Sequence, residues 1–193
     1  MNLTIILASS SPFRRELLGR LAIPFTCESP EIDESPRKGE TPAQLVTRLA
    51  ETKARKIANN RNNAIVIGSD QVALLGPDIL GKPGNHEQAR EQLARIRGKC
   101  IEFVTGLCVL NTASGTIQAD YVPYAVYFRV LTDDEIENYL RKEQPYHCAG
   151  SFKSEQLGIS LVSRMEGGDP TALIGLPLIR LAEMLRKEGI PVP

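Results

Sequence analysis

The sequence predicts an α/β or α+β protein with a mixed β-sheet, and three observations support this class. Apolar runs typical of buried strands occupy residues 3–8 and 64–72, and helical patterns lie between them. Two long β-rich segments, 101–111 and 116–130, are joined by Thr-Ala-Ser-Gly, which is typical of an antiparallel hairpin. We therefore expect parallel and antiparallel strands in one sheet. No repeat, low-complexity tract or linker divides the 193 residues, which favours one compact unit with a cleft.

Start signals define the helices in the first part of the chain. Ser11 and Pro12 predict the N-cap and the first position of a helix, because proline lacks the amide hydrogen that a first turn cannot use. Thr41 and Gln44 form the pattern of a capping box. The predicted elements are, in order, a strand at 3–8, a helix at 12–22, a Pro-rich and acidic loop at 28–42, a helix from Pro42 and a strand at 64–72. The second helix has Leu45, Val46, Leu49 and Ile57 on one face.

The remaining elements follow from turns and caps. A Gly-Pro-Asp turn at 76–78 predicts a hairpin that leads into the stretch LGKPG. Asn85 and Thr132 are expected to cap two further helices, the first of which ends near Gly98. After these come the loop CAGSFKSEQLG, a short strand at 159–162 and a last helix at 177–187.

Composition limits the partners of this chain. Lys and Arg total 23, as do Asp and Glu, so no global field draws the chain to nucleic acid or to an anionic membrane. A polyanion bound here must therefore be small and held by a local cluster. The four cysteines form no C-x-x-C pair, and the N-terminal apolar run is too short for a signal peptide or a membrane span. We expect a cytoplasmic protein.

Two cations at a helix start suggest an anion. Arg14 and Arg15 fall in the first turn after Ser11, where the macrodipole is already positive and acidic side chains are preferred. A bound anion would compensate both charges. The alternative is that both arginines lie on a solvated helix face.

Three further residues are candidates for chemistry. Asp70 directly follows an apolar strand, at the sheet edge where ligands bind in parallel sheets, although it could instead cap a turn. Lys53 shares the apolar stripe of its helix, so it either extends past the core edge to water or points into a cleft. Lys82 lies between glycine and proline in a constrained loop, unless it is only a solvated lysine.

The cations and carboxylates together suit a polyphosphate with a divalent metal. Asp33 and Glu34 add carboxylates in the 28–42 loop, and oxygen ligands favour Mg²⁺ or Mn²⁺, whereas the two scattered histidines make zinc improbable. The sequence contains no P-loop, no G-x-G-x-x-G and no G-x-S-x-G, which argues against the sites that these motifs build.

At this point the sequence resembles a known family. The stretches LASSSPFRRELL, GSDQ, LGKP, CAGSFKSEQLG and GDPTALIGLPL, in this order, are similar to the signatures of Maf proteins, nucleoside triphosphate pyrophosphatases linked to septum formation. The resemblance implies an elongated mixed α/β fold with a deep central cleft, similar to inosine triphosphatases, as one domain over residues 1–193 with two lobes. It also implies cleavage between the α and β phosphates, dependent on Mg²⁺ or Mn²⁺, to a monophosphate and pyrophosphate. A homodimer is left open.

The resemblance assigns roles residue by residue. Asp70 of GSDQ matches the proposed general base. We assign Asp70 also as a candidate metal ligand and Glu34 as a second one, because the metal would bridge phosphate oxygens beside these carboxylates. Lys53 and Lys82 match positions associated with activity. The positions associated with phosphate binding are Ser9, Arg14 and Arg15.

Within the family, the chain resembles the 7-methyl-GTP pyrophosphatase branch through Phe13, Gln71 and Glu155. The branch that hydrolyses dTTP and UTP usually has Arg, Thr and Gln there, and Phe13 departs from the tryptophan that is commoner in the 7-methyl-GTP branch. Methylation at N7 gives guanine a positive charge, which suits an aromatic face and a carboxylate acceptor. The alternatives are that Phe13 only packs and Glu155 is solvated, that dTTP, UTP or another non-standard nucleotide is the substrate, or that the chain is a nucleotide-sensing regulator of cell division.

Overall fold

A mixed seven-stranded sheet forms the centre of the computed structural model, which describes residues 3–192. The strands are β1 (Thr4–Ala8), β2 (Thr26–Glu28), β3 (Ala64–Leu75), β4 (Asp78–Leu80), β5 (Cys100–Asn111), β6 (Ile117–Phe128) and β7 (Val162–Glu166). The described helices are α1 (Pro12–Gly19), α2 (Pro42–Ala58), α3 (His86–Ile96), α4 (Asp133–Glu143), α5 (Pro170–Ile174) and α6 (Leu178–Lys187), with short 3₁₀ helices at Ala149–Ser151 and Leu157–Leu161. The predicted mixed class is confirmed.

The order of the strands explains the mixture. The sheet runs β2-β1-β3-β5-β6-β7, and β4 pairs with β3. Strand β1 is parallel to both β2 and β3, whereas β3 with β4 and β6 with β7 are antiparallel. The turn between β5 and β6 closes with Asn111 N donating to Thr116 O at 2.9 Å, as expected of the predicted hairpin.

Alternation along the inner strands separates two core layers. Ile5 and Leu7 of β1, with the equivalent residues of β3 and β5, pack against α1 and α6 on one face. Ile6 and Ala8 point to the other face, where Ala50 of α2 packs. Strands that are buried on both faces explain the continuous apolar runs in the sequence.

The predicted caps are present. Ser11 Oγ accepts from Arg14 N at 3.4 Å at the start of α1, and Asn85 caps α3. Thr41 and Thr132 both form complete capping boxes, at α2 and α4.

Several boundaries differ from the predictions. Helix α1 ends at Gly19 rather than at residue 22, and β3 continues to Leu75. The predicted strand at 159–162 is wrong, because most of it belongs to a 3₁₀ helix that Glu143 holds by accepting from Leu157 N at 3.0 Å. Strand β2 and helix α5 were not predicted.

The described residues divide into two compact units. Unit 1 contains residues 3–71, 105–122 and 169–192, and unit 2 contains residues 72–104 and 123–168. The core of unit 2 includes Phe152, whose ring lies 5.1 Å from that of Phe128 and 6.0 Å from that of Phe103. The expectation of one domain with two lobes around a cleft stays a prediction.

Candidate active site

Two glycines allow helix α2 to lie against the sheet. A Cβ on Gly68 of β3 would lie 2.0 Å from the carbonyl oxygen of Ala50, and one on Gly106 of β5 would lie 2.2 Å from that of Val46. Any other residue at these positions would push the helix away. Because Lys53 comes one turn after Ala50 and Asp70 two residues after Gly68, this approach brings the two side chains together.

Lys53 joins two carboxylates. Its Nζ lies 2.6 Å from Oδ1 of Asp70 and 2.6 Å from Oε1 of Glu34. The lysine side chain is 8% exposed, that of Asp70 10% and that of Glu34 55%. Of the two alternatives for Lys53, extension to water is therefore wrong, and the ammonium is held by anions inside unit 1.

Asp70 lies within β3, not directly after it, because this strand is longer than predicted. The parallel pairing with β1 nevertheless ends at the pair Ala8 and Gly68. Ser9 and Asp70 thus both follow the parallel part of the sheet. This is the edge at which ligands bind in parallel sheets.

Arg14 faces the same carboxylates. The half-buried Arg14 donates from Nε to the carbonyl oxygen of Gly175 at 2.7 Å. Burial lowers the pKa of this guanidinium, and the charges of Asp70 and Glu34 act in the opposite direction. Two carboxylates and a carbonyl of the chain itself therefore offset part of the cost of burying the Arg14 charge.

The other residues of this segment point to different neighbours. Ser9 is buried, and its Oγ accepts from Ser11 N at 3.1 Å. Arg15 is exposed, with its Nε 3.4 Å from the sulfur of Cys27. Phe13 is partly exposed. Arg15 is more exposed than Arg14, so it is the more accessible of the two arginines to a phosphate.

Helix α5 organises the residues beside Asp70. Gln71 Nε2 donates to the carbonyl oxygens of Ala172 and Leu173 at 2.9 and 3.0 Å, and it lies 2.9 Å from Thr105 Oγ1. The amide nitrogen is therefore engaged with the chain, and a base or ribose would have to approach Oε1. Ser69 Oγ lies 2.9 Å from Gly175 O, the carbonyl that also accepts from Arg14.

The sequence did not single out Asp169, which builds this helix. Its Oδ1 accepts from Thr171 N at 2.9 Å and its Oδ2 from Ile179 N at 2.8 Å, so one buried carboxylate caps the starts of α5 and α6. The signal was present, because Asp169 followed by Pro170 repeats the cap-and-proline pattern of Ser11 and Pro12. The stretch GDPTALIGLPL thus supplies the carbonyls that orient Arg14 and Gln71.

Unit 2 contains Lys82 and Glu155. Both are exposed, and Glu155 Oε2 lies 3.4 Å from Ser154 Oγ. The loops that carry them meet, because Gly150 N donates to Gly81 O at 3.4 Å. Burial raises the pKa of the Cys148 thiol to about 11, and Lys82 is among the charges that act on this group.

A second pair that the sequence did not reveal holds the 148–158 loop. Lys153 Nζ lies 2.7 Å from Oε1 of Glu143 in α4, and the side chains are 17% and 6% exposed. Tyr139 of the same helix accepts from Lys153 N at 3.2 Å. The loop that carries Glu155 is thereby fixed to α4.

A groove elsewhere in unit 1 is separate from the charged cluster. It has a volume of about 770 Å³ and is lined by residues 37–40, by the outer side of α2 and by residues 119–121 of β6. Asp70 and Lys53 do not line it. Charge and geometry, rather than cavity size, therefore identify the candidate site.

The donor set fits a hard divalent cation. One oxygen each of Asp70 and Glu34 converges on the Lys53 ammonium, so two carboxylates already surround one cationic point. Mg²⁺ typically takes one or two protein carboxylates together with phosphate oxygens and water. Within residues 3–192, no three His, Cys, Asp or Glu side chains are grouped to hold a metal. The residues thus fit an Mg²⁺ or Mn²⁺ ion that shares phosphate ligands, rather than a closed protein site.

The structure groups most of the predicted site residues. Unit 1 contains Ser9, Phe13, Arg14, Arg15, Glu34, Lys53, Asp70 and Gln71. Lys53, Asp70, Glu34 and Arg14 form one charged cluster within it. The roles of all these residues, and those of Lys82 and Glu155 in unit 2, stay predictions.

The sequence of this chain matches a known protein family over most of its length. The model of the Maf-like protein family matches residues 4–188 of this chain. The chain belongs to the Maf-like protein family. The resemblance of the five sequence stretches is thereby confirmed.

Curated relatives match this Maf-like chain over nearly its whole length. A protein of Nitrosococcus oceani named 7-methyl-GTP pyrophosphatase is 56% identical over 98% of this chain and 95% of its own length. Proteins of the same name from Methylobacillus flagellatus and Pseudomonas syringae pv. tomato are also 56% identical, over 97% and 98% of this chain and 98% and 99% of their own lengths.

Among solved structures, a HAM1 protein from Coxiella burnetii matches with a TM-score of 0.45 and 13% identity, over 67% of the Maf-like chain and 74% of that protein. Across residues 3–192, none of the helices has the length and apolar character needed to span a bilayer.

Proposed function

We propose that this Maf-like chain is a nucleoside triphosphate pyrophosphatase that hydrolyses 7-methyl-GTP to 7-methyl-GMP and pyrophosphate. The observation that carries the proposal is the buried Lys53 ammonium between Asp70 and Glu34, with Arg14 beside them. The names and the full-length similarity of the curated relatives support the same activity.

Asp70 acts on the attacking water in this proposal. Its Oδ1 accepts from Lys53 Nζ at 2.6 Å, so Oδ2 is the oxygen assigned to the water. That oxygen accepts a proton from water or orients it toward phosphorus, and the bond between the α-phosphorus and the bridging oxygen breaks. Lys53 keeps the carboxylate in place while the reaction proceeds.

The charged cluster has no net charge, so binding a triphosphate needs cations from outside it. In the cluster, Lys53 and Arg14 cancel the formal charges of Asp70 and Glu34, so a triphosphate gains no net attraction from these four groups. Arg15 and Lys82 supply two further positive charges that bind phosphate oxygens and the pyrophosphate leaving group. A divalent ion held by Asp70 and Glu34 would neutralise additional charge on the phosphates.

Base recognition rests on Phe13 and Glu155. The ring of Phe13 attracts the positively charged methylated base, and the Glu155 carboxylate accepts from the acidified N–H groups of the ring. Oε1 of Gln71 offers a third contact, because its nitrogen is held by α5.

We place the reaction in the cytoplasm, a location supported by four cysteines that are all free thiols.

The test is a substrate panel with the full chain. Pyrophosphate release is measured from 7-methyl-GTP, GTP, dTTP and UTP, each with Mg²⁺ and with Mn²⁺. We expect kcat/KM for 7-methyl-GTP to exceed that for GTP by about 10-fold or more, from cation–π stacking and a charge-assisted hydrogen bond. Equal values for these two nucleotides would contradict the base assignment. Preference for dTTP and UTP would favour the other branch, and no turnover of any nucleotide would favour a sensor.

The double variant Phe13→Arg with Glu155→Gln tests the base contacts. We expect it to reduce the preference for 7-methyl-GTP more than the turnover of pyrimidine nucleotides. Glu16→Gln is the control, since Glu16 lies in α1 with its side chain 72% exposed and forms a surface pair with Arg20. An unchanged preference in the double variant would remove Phe13 and Glu155 from the base site.

A further inference from the structure

An ion pair between α2 and the 33–40 loop lies next to the cluster. Arg48 is on α2, five positions before Lys53, and its fork meets the Glu40 carboxylate with Nε 2.5 Å from Oε1 and Nη2 2.8 Å from Oε2. The side chains are only 18% and 8% exposed. Hydrogen bonds from the Arg48 side chain and, secondly, from the backbone of Arg37 lower the pKa of Glu40 to about 2, so this pair stays ionised at neutral pH.

The same arginine also holds the loop backbone. Nη2 of Arg48 donates to Ser35 O at 3.1 Å, and Glu40 accepts from Arg37 N at 3.0 Å. Asp33 Oδ1 accepts from Ser35 N at 2.9 Å. The residues on both sides of Glu34 are therefore held, one by a local turn and the other by α2.

Glu34 lies in an exposed part of this loop. Its side chain is 55% exposed, and the residues from Asp33 to Gly39 are all exposed. Ordering an exposed segment costs conformational entropy. Contacts that fix the backbone on both sides of Glu34 therefore favour its 2.6 Å contact with Lys53.

We propose that Arg48 and Glu40 are positioning residues that hold Glu34 against Lys53 and so complete the acidic centre around Asp70. The inference rests on the proposed function for its kinetic consequence, but the contact itself does not. Among residues 3–192, Arg48 makes no hydrogen bond to Asp70 or Lys53, and its side chain bonds to Glu40 and Ser35 of the loop. Its charge also interacts with that of Asp70 through space, so the test must separate this effect from positioning of Glu34.

The experiment compares Arg48→Ala and Arg48→Lys with Arg55→Ala and Glu34→Gln. Arg55 is the matched control, because it lies on the same helix and forms an exposed ion pair with Glu51, one turn away. Lysine keeps the charge of Arg48 but lacks the planar fork, so it restores at most part of the contact. Melting temperatures establish that each variant is folded.

Amide hydrogen exchange reports whether Arg48 holds the 33–40 loop, and this readout does not depend on enzymatic activity. Arg48→Ala is expected to increase exchange in residues 33–40 while sparing the amides of α2, Arg48→Lys to give an intermediate increase, and Arg55→Ala to give none. Exchange in 33–40 that is the same in Arg48→Ala as in the wild type would overturn the proposal. If Arg48→Ala does not fold, Arg48→Lys alone decides between these outcomes.

Kinetics then measure the consequence with 7-methyl-GTP. Arg48→Ala should lower kcat/KM by about 10- to 100-fold, because misplacing a group near the reaction centre has effects of this size. In a Glu34→Gln background the same change should cost less than about twofold, since the two residues act in series. An equal loss in both backgrounds would overturn positioning through Glu34. A wild type without activity would refute the proposed function, while the exchange result would still decide the contact.

Discussion

Replacing Asp70 by asparagine separates chemistry from folding in this protein. Asparagine has nearly the same volume, and its carbonyl oxygen is expected to take the place of Oδ1 beside Lys53 Nζ. The ammonium also keeps its 2.6 Å contact with Glu34. A bond to a charged acceptor contributes about 1 kcal/mol more than one to a neutral acceptor, so the expected loss of unfolding free energy is about 1 kcal/mol. For a chain of this size that corresponds to a fall of about 2–4 °C in Tm.

The effect on turnover should be much larger. Loss of a group that takes a proton from the attacking water lowers the rate by about 10²- to 10⁴-fold, or about 3–5 kcal/mol in the activation free energy. Asparagine also removes one of the two carboxylates that would hold a metal. Most of the effect of Asp70→Asn should therefore appear in kcat rather than in stability.

The assay follows phosphate after inorganic pyrophosphatase converts the released pyrophosphate, alongside calorimetric melting of the same samples. Asp78→Asn is the control, because Asp78 is exposed on β4 and forms a surface pair with Arg95. An Asp70→Asn variant that retains more than about a tenth of the wild-type rate would refute the role of Asp70, since acid–base catalysis contributes at least 10²-fold. A rate loss that only follows the loss of folded protein would make Asp70 a structural residue.

Four further changes probe the same geometry. Lys53→Met leaves the buried Asp70 carboxylate without its ammonium, so we expect a loss of about 3 kcal/mol in chemical denaturation together with a loss of turnover. Gly68→Ala places a Cβ 2.0 Å from the backbone oxygen of Ala50, so the free energy of unfolding should fall by about 1–3 kcal/mol and the activity should fall with it. In the control Gly19→Ala the new Cβ has nothing within 4 Å, so stability and activity should both stay unchanged. Lys82→Ala should lower kcat/KM while leaving Tm within about 2 °C, because the side chain is exposed; a lower Tm with an unchanged rate would make it structural. Hydrogen bonds from Arg48 and from the backbone of Arg37 lower the pKa of Glu40 from 4.5 to about 2, so the stability that these contacts contribute is present above the ordinary value and is lost as the pH falls toward 2. The Tm of Arg48→Ala should thus depend less steeply on pH between about 5 and 2 than that of the wild type.

Local signals in the sequence were enough to predict most of the secondary structure. Ser11, Thr41, Asn85 and Thr132 cap helices as predicted, because a cap depends on hydrogen bonds within three residues along the chain. The apolar runs of β1 and β3 likewise report burial on both faces of a sheet. The short apolar run at 159–162 was misassigned because such a run fits a strand or a helical turn equally well, and a contact from Glu143 in α4 selects the turn.

The partners within the candidate site needed the folded chain. Lys53 lies on the apolar face of its helix, a position from which the side chain could extend to water or point into a cleft. Its observed position depends on Asp70, 17 residues away, and on the loop that contains Glu34, which has no periodic pattern. The partners of Gln71 could not be predicted from the sequence either, because its amide donates to carbonyls of α5, about a hundred residues later in the chain. Residue types indicate which chemistry is available, since charge and donor capacity belong to the side chain alone. Which groups meet depends on packing between distant segments, and here the approach of α2 at Gly68 and Gly106 makes that selection.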